Sequence, residues 1–279
     1  MKRFAIIGLL TAALLGCASA RAQHTLGFVV GYGMGSARFQ PTQETRGVWG
    51  MYSAGLTWRH YGKQRFVGGF GADLEFLQQG FSFALNASQV EDKKDYRYYT
   101  RRVNSVVLPI VWQPHAYLFK HRVRLYLEAA ATFSYNISST YEDEVLRDAG
   151  RPDWRGDYPF KVERDNRWGY GLAGGAGIAI LIRRFELNLR ARYYFGYSDI
   201  LRNMNRYYDN ATDGAENPFA RTPLKSPIDN LAFSVTLAYR FNKEGFTSWS
   251  YKPRRREKMK KEFRFSQKGD MVNMDAMRR

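Results

Sequence analysis

Two carboxylates, Asp73 and Glu75, stand in the run Gly71-Ala72-Asp73-Leu74-Glu75-Phe76-Leu77. Paired carboxylates are the material of general acid–base catalysis, in which one is held protonated and the other ionised. On an extended segment, residues i and i+2 share a face. With arginines opposite, the same pair builds a structural ion-pair network instead. The histidines, His24, His60, His115 and His121, show no metal-ligand spacing and fall at strand ends or in turns, so no Ser-His-Asp set forms around them. The sole cysteine is Cys17, close to the N-terminus, which leaves nothing for a disulfide or a thiolate metal site further along. No cofactor, metal site or catalytic residue is therefore expected.

Other tempting signals dissolve in context. Gly169-x-Gly171-x-x-Gly174 matches the dinucleotide fingerprint, yet it lies inside an alternating segment with no helix opening after it. Those glycines are expected to make room in a crowded interior. Asn86-x-Ser88, Asn136-x-Ser138 and Asn210-x-Thr212 are acceptor sequons that, without a glycosylation pathway, signify polar loops alone.

The elements that must position these groups are strands. Eight segments alternate apolar with small or polar residues, at roughly 25–35, 48–59, 66–79, 99–112, 122–135, 168–182, 185–198 and 229–241. The connections after odd strands are long (36–47, 80–98, 136–167, 199–228), whereas those after even strands are short (60–65, 113–121, 183–184). This predicts an all-β fold, an eight-stranded antiparallel up-and-down transmembrane β-barrel, with short turns and both chain ends in the periplasm and long loops outside. A mean hydropathy of −0.49 with 16% aromatic residues fits such a barrel, because only alternate residues face lipid.

The phase of each strand assigns its solvent. In 168–182 one face carries Trp168, Tyr170, Leu172, Ala176, Ile178, Ile180 and Ile182, and the other Gly169, Gly171, Ala173, Gly175, Gly177 and Ala179. In 185–198, Phe185, Leu187, Leu189, Ala191, Tyr193, Phe195 and Tyr197 oppose Glu186, Asn188, Arg190, Arg192 and Tyr194. A lipocalin-type barrel would turn the apolar face inward; a narrow lumen suits the small and charged face instead. A soluble sandwich with one wet face is the competing architecture. Inward positions then include Arg59, Asp73, Glu75, Arg124, Tyr126, Glu128, Glu186, Arg190, Arg192, Tyr194 and Arg240. Charges of both signs this dense are expected to pair across the interior and plug it. Aromatics near the strand ends, among them Trp49, Trp58, Phe66, Trp112, Trp168, Tyr197, Tyr239 and Phe241, are placed for interfacial girdles.

Residues 1–22 read as a secretory signal peptide, with Lys2 and Arg3, an apolar stretch from Phe4 to Gly16, and Ala20-Arg21-Ala22 before Gln23. Leu14-Leu15-Gly16-Cys17 offers a lipoprotein box as an alternative. The barrel then occupies 23–241. Residues 242–279 hold 12 Lys and Arg against 5 Asp and Glu, giving +7 of the total +17. This basic periplasmic tail, with Arg254, Arg255, Arg256, Lys258, Lys260 and Lys261 at its centre, reads either as a solvated extension or as a docking segment. Its targets would be anionic headgroups, cell-wall carboxylates or an acidic protein partner. An export signal excludes nucleic acid as the target of the arginine triplet.

The chain also resembles the PorT-like family of small outer-membrane barrels. The resemblance is carried by Leu74-Glu75-Phe76-Leu77-Gln78-Gln79-Gly80, Leu108-Pro109-Ile110, Gly174-Gly175-Ala176-Gly177, Arg192 through Ile200, and a last strand ending Tyr239-Arg240-Phe241. It covers about 25–241 and implies an eight-stranded outer-membrane barrel. The family's namesake assists type IX secretion of surface proteins, while this chain departs from it in the last strand, the loops and the basic extension. The resulting expectation is a non-enzymatic outer-membrane barrel with a filled lumen, serving assembly, secretion or surface interaction, with outer-membrane lipid and a periplasmic or outer-membrane protein as partners. An enzyme acting at the loop face and a small passive channel are the alternatives.

Overall fold

The computed structural model describes residues 23–40, 42–61, 68–87, 89–119, 122–202 and 224–241. The signal peptide and basic-tail readings lie outside these residues. Eight long strands account for most of what is described: β1 (Gln23–Ala37), β2 (Val48–Tyr61), β3 (Gly69–Ala84), β4 (Tyr98–Gln113), β5 (Val123–Asp143), β6 (Trp168–Ile182), β7 (Phe185–Gly196) and β8 (Ile228–Arg240). Each pairs antiparallel with the next, and β8 pairs with β1, so the sheet closes on itself. Closure removes every free edge along the staves, which a strand in hydrocarbon cannot leave unpaired. No helix among the described residues is long and apolar enough to cross a membrane.

Register follows the alternation. Phe28 lies opposite both Leu56 on β2 and Leu237 on β8, and Leu189 lies opposite Ile178 on β6 and Val235 on β8. The outward residues form a continuous apolar coat, with Phe28, Leu56, Leu127, Leu172, Leu189 and Phe233 about half exposed or more. In water such a surface would be untenable; against acyl chains it is matched.

The strands run further than alternation predicts at the end carrying the long connections. β3 continues to Ala84 and β5 to Asp143, where the sequence pattern had stopped at 79 and 135. The physical reason is a change of phase. On β5 the register slips by one residue, Asn104 facing Ser138 and Ser105 facing Asn136, with Ile137 the extra residue. Before the slip even-numbered residues point inward; after it Ser139 is buried. On β2 a second slip leaves Gly50 between Met51 and Trp49, at φ +87°, a left-handed conformation suited to glycine. β7, by contrast, ends at Gly196, not 198.

Three short strands decorate the rims: Thr45–Arg46 on β3, His115–Leu118 on β5 and Arg155–Asp157 on β5. The connection after β5 also contains the short helix α1 (Glu144–Asp148), capped by Asp143, whose carboxylate accepts from the Val145 and Leu146 amides. Isolated bridges tie Gln40 to Lys225, Asp165 to Leu201 and Asp199 to Pro227, so the long connections hold one another over the mouth.

Candidate functional site: the filled lumen

Three layers fill the barrel. The first lies near the short turns. Arg124 (β5) pairs with Glu186 (β7) and stacks over the Tyr61 ring at 4.1 Å. Tyr61 donates to Gln113 at 2.7 Å, Asn188 donates to Glu186 at 2.8 Å, and Arg240 donates to the Arg183 carbonyl.

The middle layer is the charge network. Arg190 and Arg192 on β7 reach across the bore to β3, diametrically opposite: Arg190 lies 3.1 Å from Asp73 and 2.7 Å from Glu75, and Arg192 lies 2.9 Å from Asp73 and 3.2 Å from Glu75. Glu128 on β5 accepts from Arg192 at 2.6 Å, Arg59 on β2 pairs with Asp73, and the Tyr194 hydroxyl donates to Glu75. Three arginines meet three carboxylates, all at most 7% exposed. Balanced charge and near-complete hydrogen bonding are what make burial of so many ions tolerable. The walls beside them are bare: a Cβ added at Gly175 would sit 3.0 Å from Glu128 Oε1. Gly175 thus gives up side-chain volume to the network and Gly177 to the Tyr126 ring, while Gly171 lets the β7 backbone at Phe195 and Gly196 come close, and Gly174, third of the fingerprint glycines, faces outward.

The third layer is apolar and lies toward the long connections. Leu77, Val107, Val111 and Ala130 lead into a cluster of Phe39, Phe81, Phe83, Tyr99, Val103 and Ile200. Phe81 and Val103 have no exposed surface at all. Phe39 meets Phe81 and Phe83 edge-on, with centroids 5.3 and 5.8 Å apart. Above this lid Arg101 donates to Asp165 at 2.9 Å and to Ser139, and stacks on Tyr158 at 4.2 Å, pinning the connection after β5. Farther out, the hydrogen bond from Arg97 holds Asp148 below the usual carboxylate range.

One void inside the charged layers is small. Of about 20 Å³, it lies among Thr57, Arg59, Glu186, Asn188, Arg190 and Thr236, and is polar. Of the residues lining it, Glu186 Oε2 and Asn188 Oδ1 are buried acceptors with no hydrogen-bond partner among the described residues. The space and the acceptors suit an ordered water.

Every residue of the charge set read from sequence (Arg59, Asp73, Glu75, Arg124, Glu128, Glu186, Arg190, Arg192 and Arg240) is buried. Eight of its members join in ion pairs in two separate groups, Arg59, Asp73, Glu75, Glu128, Arg190 and Arg192 in one, and Arg124 with Glu186 in the other. Arg240 donates to the Arg183 carbonyl. Sequence reasoning missed Arg101 and Asp165, since Asp165 lies in a connection and only the folded loop brings it to β4. It also missed the His24–His60 cross-strand pair, with ring centroids 4.7 Å apart. Among the described residues no group of three His, Cys, Asp or Glu side chains could hold a metal ion. Asp73 and Glu75 each meet both Arg190 and Arg192, and Glu75 also accepts from Tyr194.

The outward apolar column on β5 runs from Leu125 to Tyr135, about 33 Å of strand. At a tilt of about 40° that spans about 25 Å, the height of the lipid-facing band of outer-membrane barrels. A profile of the outer membrane protein beta-barrel domain family matches residues 19–202. The chain belongs to that family. Its place is accordingly the outer membrane, crossed by strands.

Similar solved structures are outer-membrane barrels at low identity. Ail, the attachment invasion locus protein of Yersinia pestis solved with the heparin analogue sucrose octasulfate, is 13% identical over 78% of this chain and 99% of its own, with a TM-score of 0.32. Neisserial surface protein A is 7% identical over 79% and 99%, TM-score 0.37. OprG from Pseudomonas aeruginosa is 12% identical over 80% and 96%, TM-score 0.33. No curated protein matches the chain.

Proposed function

We propose that this barrel acts through its surfaces and not through its bore, as a non-enzymatic assembly, secretion-accessory or surface-interaction component of the outer membrane. The observation that carries this reading is the lumen: a balanced ion-pair layer and an apolar lid occupy successive levels of it. A pore needs a continuous wet path, and acid–base chemistry needs a carboxylate free to titrate. Neither is favoured by arginines locked on Asp73, Glu75 and Glu128.

Short turns and both chain ends face the periplasm in this proposal, and long connections face outward, in keeping with outer-membrane barrels generally. The PorT-like resemblance makes a type IX secretion accessory the specific version. The basic segment 242–279, carrying +7, then docks an acidic periplasmic partner through Arg254, Arg255, Arg256, Lys258, Lys260 and Lys261. Truncation after Asn242 is expected to leave membrane-inserted, heat-modifiable protein while abolishing co-purification of a partner from mild detergent. Raised salt should mimic the truncation, since the attachment is electrostatic. Failure of the truncated chain to insert would assign the tail to folding, and an unchanged set of co-purifying proteins would remove it from partner binding.

A further inference from the structure

The outer wall of the barrel bears a groove at the end of the long connections, which the plugged-lumen reading does not use. Its volume is about 310 Å³, within the range of small-molecule sites. Arg46, Arg102 and Arg147 line it together with Trp49 and Trp154. It lies outside the bore, because Arg102 and Thr100 project from the outward face of β4, opposite the buried Arg101 and Val103.

Height fixes what this groove meets. The outward apolar coat ends at Tyr52 on β2, Phe76 on β3, Val106 on β4 and Tyr135 on β5. Arg102 is four residues beyond Val106, about 13 Å of strand and about 10 Å along the membrane normal. That is the level of headgroups, not acyl chains. Trp49, 57% exposed, stands between the coat and the groove in the position of an interfacial aromatic.

Arginines and carboxylates line the groove in equal number, so what it can bind depends on which donors are already spent. Three carboxylates also line the groove, but two are committed to the fold. Asp143 caps α1, and Glu144 accepts from Arg46 at 3.0 Å and from the Tyr98 amide at 2.9 Å. The third, Glu142, forms a long ion pair with Arg102, 3.9 Å from its Nε, and that Nε is shielded from water with no hydrogen-bond partner among the described residues. Arg147, half exposed, pairs among the described residues with its neighbour Asp148 at 3.4 Å. Two guanidiniums with unspent donors, beside indole faces that suit sugar rings, match a phosphorylated sugar.

We infer that the groove seats the phosphorylated sugar headgroup of an outer-leaflet glycolipid, whose acyl chains run down the apolar coat below Trp49. The inference rests on the outward placement of the long connections, but its test does not. The full-length protein in dodecyl maltoside is titrated with a hexa-acylated diglucosamine bisphosphate lipid and followed by native mass spectrometry. Wild type is expected to bind it at least about ten-fold more tightly than its enzymatically dephosphorylated form. R102Q/R147Q, checked for heat-modifiable migration, should lose a similar factor for the phosphorylated lipid and little for the dephosphorylated one.

Equal binding of both lipids by wild type overturns the proposal without reference to any variant. Unchanged affinity in a folded R102Q/R147Q protein overturns it as well. Glucosamine 1-phosphate bound as tightly as the lipid would show that the membrane is not the source of the ligand, and would also refute it. Orientation is read separately, from protease access to the long connections in intact cells, so its failure is distinguishable from that of the groove.

Discussion

Arg190 and Arg192 show how a narrow bore sets residue chemistry. Each spans the barrel to carboxylates on β3, and Arg192 adds Glu128 on β5, so the pair links three staves that are not neighbours in the sheet. Removing both cations leaves Asp73, Glu75 and Glu128 with only Arg59 and Tyr194 to compensate them. The R190A/R192A protein is expected to lose roughly 3–5 kcal/mol, the cost of stripping partners from buried charge. The check is the urea midpoint of the lipid-folded barrel, followed by the loss of its fast-migrating band. An unchanged midpoint would mean that water already screens the network.

At the scale of the strand, phase decides tolerance. Leu187 on β7 and Val235 on β8 face lipid, at 37% and 43% exposure, while Thr236 is buried beside the small polar void. An aspartate at either lipid-facing site is expected to cost about 2 kcal/mol near mid-bilayer. At Thr236 the cost should be smaller, because Arg190 and water are within reach of the cavity. Refolding yield into bilayers ranks the three variants; a reversed order would invert the assignment of faces.

The same phase explains what could be read before any coordinates. Alternation alone placed β6, β7 and β8 within two residues of their ends, and it put Asp73, Glu75, Arg190 and Arg192 on inward faces. It failed where geometry broke its period. The extra residue at Ile137 flips β5, so the strand beyond it looked like loop. Phe81 and Phe83 lie past the coat, in a stretch whose outward partners Gln78 and Ser82 are polar, which hides the strand that carries them. Arg101–Asp165 joins positions 64 residues apart, a separation no local pattern encodes. The PorT-like resemblance said nothing of the lid or of the outer groove.

Taken whole, the described residues form a closed wall around a filled interior, and the function proposed above lies at the two rims. One rim carries the interlocked connections and the arginine-lined groove; the other carries the short turns and the covalent start of the basic tail. Such a division suits a protein that holds position in the membrane and recruits others. It depends on the bore being shut. Planar-bilayer recording of the purified full-length barrel tests that most directly. The ion-pair layer and the Phe39–Phe81–Phe83 lid predict no stable open conductance at any applied voltage the bilayer withstands. Steady single channels of porin size in the wild-type protein would contradict the account.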